Sequence, residues 1–176
     1  MPDPTAAFEA ERPRLLRIAA HLLGDPTEAE DVVQQAWLRW DAARSTTDIA
    51  NLPGWLTTVT TRLCLDRLRQ RLPMPDADLE TELADTVGAP DPADDVALAD
   101  TVGVALQVVL DRLTPRERVA FVLHDTFGFE FDTVAAVLDT NAAAARKLAS
   151  RARAKVAQPV PEDALADWEV VDAFLA

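Results

Sequence analysis

The sequence predicts an all-α chain: two small helical domains joined by an acidic, proline-rich linker. Three observations predict it. Apolar residues recur at spacings of three and four along most of the chain, the period of a helix with one buried face, and strand-like alternation is absent. Helix start and stop signals bracket those stretches. Between Pro73 and Asp95 the composition shifts to prolines at 73, 75, 90 and 92, many acids and no aromatic residue. Such a segment cannot bury enough apolar surface to form a core of its own. A single larger bundle is the alternative, which that linker disfavours.

The first domain is residues 1–72. Phe8, Leu15, Leu16, Ala19, Leu22 and Leu23 recur at helical spacing, and Gly24 stops the helix from just past its end. Asp25-Pro26-Thr27-Glu28 starts the next one, with Asp as cap, Pro at the first helical position and Glu three residues after the cap. Its buried stripe is Ala29, Val32, Val33, Ala36, Trp37 and Trp40, which makes the two tryptophans core residues rather than platforms for bases. The opposite face carries Glu30, Asp31, Gln34 and Gln35. A polar loop, Ser45 to Asn51, is followed by Pro53-Gly54, and a third helix begins near Trp55 and runs through Leu56, Val59, Leu63 and Leu68. Residues 73–100 are the linker. The second domain, residues 101–157, opens with Val102, Leu106, Val109 and Leu113. Thr114-Pro115-Arg116-Glu117 is a second capping box, starting a helix from Pro115 to Phe127 that Gly128 ends. Residues 158–176 form an acidic tail.

The segment from Phe129 to Arg153 reads as a short helix, a turn at Asp139-Thr140-Asn141, and a second helix whose charges are cations. That is the pattern of a helix-turn-helix, whose second helix enters the DNA major groove. Val134 and Leu138 face inward on the first helix. Ala145, Leu148, Ala149, Ala152 and Val156 do so on the second, leaving Arg146, Lys147, Ser150 and Arg153 to meet phosphates and base edges. A generic helical hairpin with a solvated basic face is the plainer reading. Asp139 stands where glycine often takes the left-handed conformation, which Asp tolerates at some cost. Asn141 is a good N-cap.

A net charge of −13 argues against a nucleic-acid binder until its distribution is examined. Residues 73–100 hold nine acids and no base, and residues 158–176 hold five acids and no base; removing those fourteen charges leaves +1. Ala142 to Ala157 carries five cations and no acid, and Arg62 to Arg71 carries four arginines against Asp66. Acidity is thus segregated from the candidate DNA surfaces. The single cysteine, Cys64, excludes an internal disulfide and any multi-cysteine zinc site. No apolar run is long enough to span a bilayer and no signal peptide pattern opens the chain, so the expectation is a cytoplasmic protein without cofactor, metal or membrane partner.

Gly24-Asp25 followed by the run Ala29 to Leu38, then Trp55-Leu56 leading to Leu63-Cys64-Leu65-Asp66-Arg67-Leu68-Arg69, resembles region 2 of the extracytoplasmic-function sigma factors, which are RNA polymerase subunits of the sigma-70 family. Leu113 to Leu123 and the helix-turn-helix resemble their region 4, and the two resemblances cover roughly residues 8–156. The resemblance implies a dissociable subunit that brings bacterial core RNA polymerase to promoter DNA. It implies polymerase binding by Glu30, Asp31, Gln34 and Gln35, and upstream-element binding by Thr140, Asn141, Ala143, Arg146, Lys147, Ser150, Arg151 and Arg153. The downstream element, captured as it melts, would fall to Asn51, Trp55, Thr58, Thr61, Arg62, Arg67 and Arg69. Thr57, Thr58, Thr60, Thr61 and Arg62 would line the helix with hydroxyl and guanidinium donors, and Arg67, Arg69 and Arg71 would extend a phosphate-binding stripe. The third helix departs from many members, which carry Arg and Asn near positions 58 and 62. The linker would repel duplex DNA in the free protein and thread a basic channel of the polymerase once bound.

Val171-Asp172-Ala173-Phe174-Leu175-Ala176 resembles the opening helix of the SnoaL-like domain found behind one group of these factors. The chain would then be truncated or a natural form lacking that domain, and a short docking helix is the other reading. Partners would include an anti-sigma protein or the chain's own C-terminal domain. A stand-alone helix-turn-helix regulator is the competing function; it leaves the run Ala29 to Gln35 without a role. An enzyme built on His124 and Asp125 is disfavoured because adjacent helical residues point apart.

Overall fold

The computed structural model of the protein describes residues 4–71 and 106–159. The linker and tail, with the expectations placed on them, lie outside the described residues. Three helices build the first domain: α1 (Pro4–Leu23), α2 (Pro26–Ala43) and α3 (Leu52–Arg71). In the second, residues 106–110 are helical and precede α4 (Pro115–Phe121), a π-helical turn (Val122–Thr126), α5 (Phe131–Val137) and α6 (Ala142–Val156).

Local chemistry sets most boundaries. Gly24 ends α1 at φ +70°, a left-handed conformation that glycine adopts without a Cβ penalty. Asp25 caps α2, its carboxylate accepting from the Thr27 and Glu28 amides. Glu28 does not close a capping box; its carboxylate turns instead to Arg71. Thr114 and Glu117 do close one: the Thr114 hydroxyl accepts from the Glu117 amide at 3.2 Å and Glu117 accepts from the Thr114 amide at 3.0 Å. Two boundaries differ from expectation. Helix α3 starts at Leu52, not near Trp55, because the Asn51 side chain accepts the Gly54 amide and Pro53 falls in the first turn, where its missing N–H costs nothing. The helix expected from Pro115 to Phe127 widens after Phe121 into a π-turn, with the Phe127 amide reaching back to the Val122 carbonyl at 3.1 Å.

In the first domain α1, α2 and α3 pack on one another. Phe8, Trp37 and Trp40 form an aromatic cluster, with ring centroids 4.9 Å apart for Phe8–Trp37 and 5.3 Å for Trp37–Trp40. Trp40 is buried and Trp37 half-buried, as core residues should be. In the second domain α4 and α5 pack on α6. The two domains also abut: α3 meets α4 and α5, α1 meets the π-turn, and the buried apolar residues of both belong to one cluster.

Candidate functional site

Helix α6 sorts its side chains by face. Asn141 caps it, the side-chain oxygen accepting from the Ala144 amide at 2.8 Å, and Asp139 takes the left-handed conformation at φ 51° as its place in the turn requires. Ala145, Leu148, Ala149 and Ala152 are buried, whereas Ala143, Arg146, Lys147 and Ser150 are exposed on the outer face. Thr140 is half-buried in the turn. The Arg146 guanidinium lies over the Phe131 ring, 5.4 Å from its centroid.

The remaining α6 cations are engaged within the domain. Arg153, expected to project toward DNA, instead forks onto Asp125 at 2.7 and 3.2 Å. Lys155 donates to Glu117 at 2.7 Å and Arg151 lies 3.8 Å from the same carboxylate. Glu117 is 4% exposed, so one buried carboxylate caps α4 and anchors α6. Asp125 is thereby committed to Arg153, and His124 donates from Nδ1 to the Phe129 carbonyl at 2.8 Å and stacks on Phe131. The two residues do not pair, so the candidate catalytic couple is not assembled.

On α2 the polar stripe is where the sequence places it. Glu30, Asp31, Gln34 and Gln35 are all exposed, opposite buried Ala29, Val32, Val33 and Ala36. Sequence reading missed Leu38, one turn beyond Gln34 and 58% exposed, the more exposed of two big apolar side chains left open to solvent among the described residues. The signal was its position on the polar side of the stripe.

Helix α3 departs most from expectation. Thr57, Thr60 and Thr61 are buried, so they are not available as donors to DNA in this arrangement. The Thr57 and Thr58 hydroxyls back-bond to the Pro53 and Gly54 carbonyls at 2.8 and 3.0 Å. Those of Thr60 and Thr61 have no partner. The reason is packing: α3 contacts α1, α2, α4 and α5, leaving only a narrow solvent-facing strip. The arginines expected on a phosphate stripe are partly paired. Arg67 lies 4.0 Å from both Glu28 and Asp31, Arg69 lies 3.9 Å from Asp66, and Arg71 holds the Leu23 carbonyl at 2.9 Å and Glu28. Arg62 is bound to the second domain. Asn51 is exposed and Trp55 half-buried against the core. Because a buried hydroxyl without a partner is costly, Thr61→Val is expected to leave stability unchanged or raise it by up to about 1 kcal/mol in chemical denaturation. A loss of several kcal/mol would show that the hydroxyl is paired. Burial also pushes the Cys64 thiol up to about 12, which makes it inert in the folded chain.

Among the described residues no helix is long and apolar enough to cross a membrane, and no three His, Cys, Asp or Glu side chains gather as metal ligands.

Comparison with known proteins matches the two domains to two regions of one family. Residues 7–72 match sigma-70 region 2 and residues 103–156 match sigma-70 region 4. The chain is 49% identical over 157 residues to the ECF RNA polymerase sigma factor SigJ of Mycobacterium tuberculosis, covering 86% of this chain and 50% of that protein. It is 42% identical over 160 residues to the probable ECF RNA polymerase sigma factor SigI of the same species, covering 88% of this chain and 54% of that one. The chain therefore spans about half the length of these relatives. The crystal structure of M. tuberculosis SigJ superposes with a TM-score of 0.59 at 40% identity, covering 96% of this chain and 58% of that one. The sigma factor RpoE of Bartonella quintana, crystallised with the anti-sigma factor NepR, shares the fold with a TM-score of 0.61 at 22% identity, covering 86% of this chain and 92% of that chain. With regions 2 and 4 both present and in that order, the chain belongs to the extracytoplasmic-function sigma factors of the sigma-70 family.

Proposed function

We propose that this protein is a promoter-specificity subunit that docks on bacterial core RNA polymerase and directs it to promoter DNA. The observation that carries this reading is the division of labour on α6. Two of its cations, Arg146 and Lys147, face solvent with Ser150, while Arg151, Arg153 and Lys155 are tied inward to Glu117 and Asp125. Inward ion pairs hold the helix, and outward donors are left for a major groove. The α2 stripe with Leu38 supplies the polymerase surface, an apolar anchor set in polar, partly acidic surroundings. Helix α3, with Asn51, Trp55 and Thr58 near its start and Arg62, Arg67 and Arg69 further along, faces the melted downstream strand.

The protein acts in the cytoplasm, where polymerase works, without catalysing a reaction of its own. A separate anti-sigma protein or a C-terminal domain of the SnoaL-like kind is the expected regulator.

The test is a pull-down with core polymerase followed by transcription from a randomised promoter library. Retention of the polymerase and selection of a defined upstream motif are the expected results. A DNA-binding homodimer indifferent to polymerase would mean a stand-alone regulator instead. For the recognition helix, Arg146→Ala and Lys147→Ala should each weaken promoter binding by about 1–3 kcal/mol if they read bases. If they touch only phosphates, the loss is similar across sequences and the salt slope falls by about one. Wild-type binding by the double variant would falsify the assignment.

A further inference from the structure

We propose that two reciprocal arginine caps clasp the two domains together, and that the clasped state masks Arg62 from DNA. The masking half rests on the reading of α3 as a DNA-facing helix; the clasp itself does not.

Every helix ends with carbonyls that lack an intrahelical partner and carry the negative end of its dipole. Here each domain lends an arginine to such an end in the other. Arg62, on α3 of the first domain, donates to the Ala136 and Val137 carbonyls at the end of α5, at 2.9 and 3.1 Å. Its other bond reaches Asp139 in the helix-turn-helix turn at 2.7 Å. Arg118, on α4 of the second domain, donates to the Leu22 carbonyl at the end of α1 at 3.0 Å and to Asp111 at 2.7 Å. Arg118 is 3% exposed, so this cap sits in a desolvated interface where a charge-assisted bond is strongest. Around the two caps, His21 meets Phe127 edge-on at 5.3 Å, Arg14 lies over Phe129 at 6.0 Å, and the Gln107 side chain closes over Gly24.

The consequence is competition for one guanidinium. The Nε–Nη2 edge of its planar fork is filled by two carbonyls and a carboxylate, so a phosphate that grips that edge in bidentate fashion must displace the α5 end. A clasp of exposed Arg62–Asp139 character and buried Arg118 character resists opening without forbidding it.

The test follows domain separation by energy transfer between dyes at Ala42→Cys and Ala154→Cys, both exposed positions; buried Cys64 stays unlabelled. Asp139→Asn removes the charge yet tolerates the left-handed turn. It is expected to lower transfer and to tighten binding of a labelled single-stranded oligonucleotide pool about two- to five-fold at low salt. Arg118→Ala, with helix content checked by circular dichroism, should lower transfer further. Adding Arg62→Ala to Asp139→Asn should keep the open state and lose the gain in oligonucleotide binding. Wild-type transfer in Asp139→Asn and in a folded Arg118→Ala overturns the clasp. Opening with no gain in oligonucleotide binding overturns the masking. Polymerase capture runs through α2 and is scored separately, so its failure strikes the proposed function and leaves the clasp standing.

Discussion

Charge reversal at Asp31 combined with Gln35→Arg is expected to abolish capture of core RNA polymerase while α2 stays folded. Both residues are exposed on the side of α2 opposite its buried stripe, so neither change disturbs packing. Asp31 touches Arg67 only at 4.0 Å, a half-exposed pair whose loss costs the fold at most about 1 kcal/mol. At the docking surface the balance differs. Under the proposed docking of α2 on a basic partner surface, two positive charges turn attraction into repulsion, which costs several kcal/mol, so affinity should fall about 100-fold or more. Titration against labelled polymerase measures the loss, and circular dichroism reports the helix. Unchanged affinity with an unchanged spectrum would remove α2 from the interface.

Glu117→Ala is expected to be the most damaging single change in the second domain. It deletes the reciprocal half of the Thr114 capping box and the acceptor of the Lys155 bond at once, and takes a counter-charge from Arg151. Loss of a cap costs about 1 kcal/mol and loss of a charge-assisted bond about 1.5–3 kcal/mol. Lys155 and Arg151 keep partial access to water, which holds the total near 2–4 kcal/mol rather than at the limit for a fully buried pair. Because Lys155 and Arg151 sit on α6, the same change should loosen the angle of that helix and, if α6 is the recognition helix as proposed, weaken promoter binding. Thermal unfolding and promoter titration of Glu117→Ala and Glu117→Gln separate the two effects. Gln restores a neutral acceptor for the Thr114 amide, so it should recover the cap but not the anchoring of α6. Equal stability of Glu117→Ala and wild type would show that the network contributes nothing.

Much of this fold is readable from neighbouring residues, because its signals act within a few positions of the chain. Gly24, Asp25, the Thr114–Glu117 box and Asn141 each satisfy a backbone group two to four residues away, Asp139 takes the left-handed place in its turn, and each does in the structure what its type predicts. The burial stripes of α2 and α6 are equally local, since helical period alone decides which face is apolar. The exposure of the α2 stripe and of Ala143, Arg146, Lys147 and Ser150 follows from the same period.

What escaped the sequence depends on contacts between residues distant in the chain. Threonine is polar, so Thr57, Thr60 and Thr61 read as donors; only the crowding of α3 by four other helices shows them buried. Arg153 looks like any other cation of α6 until Asp125, on a π-turn 28 residues earlier, is placed beside it. Arg62 and Arg118 carry no periodic mark at all. Their partners are backbone carbonyls at helix ends 74 and 96 residues away, and a carbonyl is present at every position whatever the residue. The sequence by itself determined the helices, their caps and their inner and outer faces, because those obey short-range geometry. Only the tertiary structure decided which outward-facing cations are spent within the protein and which remain for a partner, because that choice is made by whatever helix end or carboxylate folding brings within 3 Å.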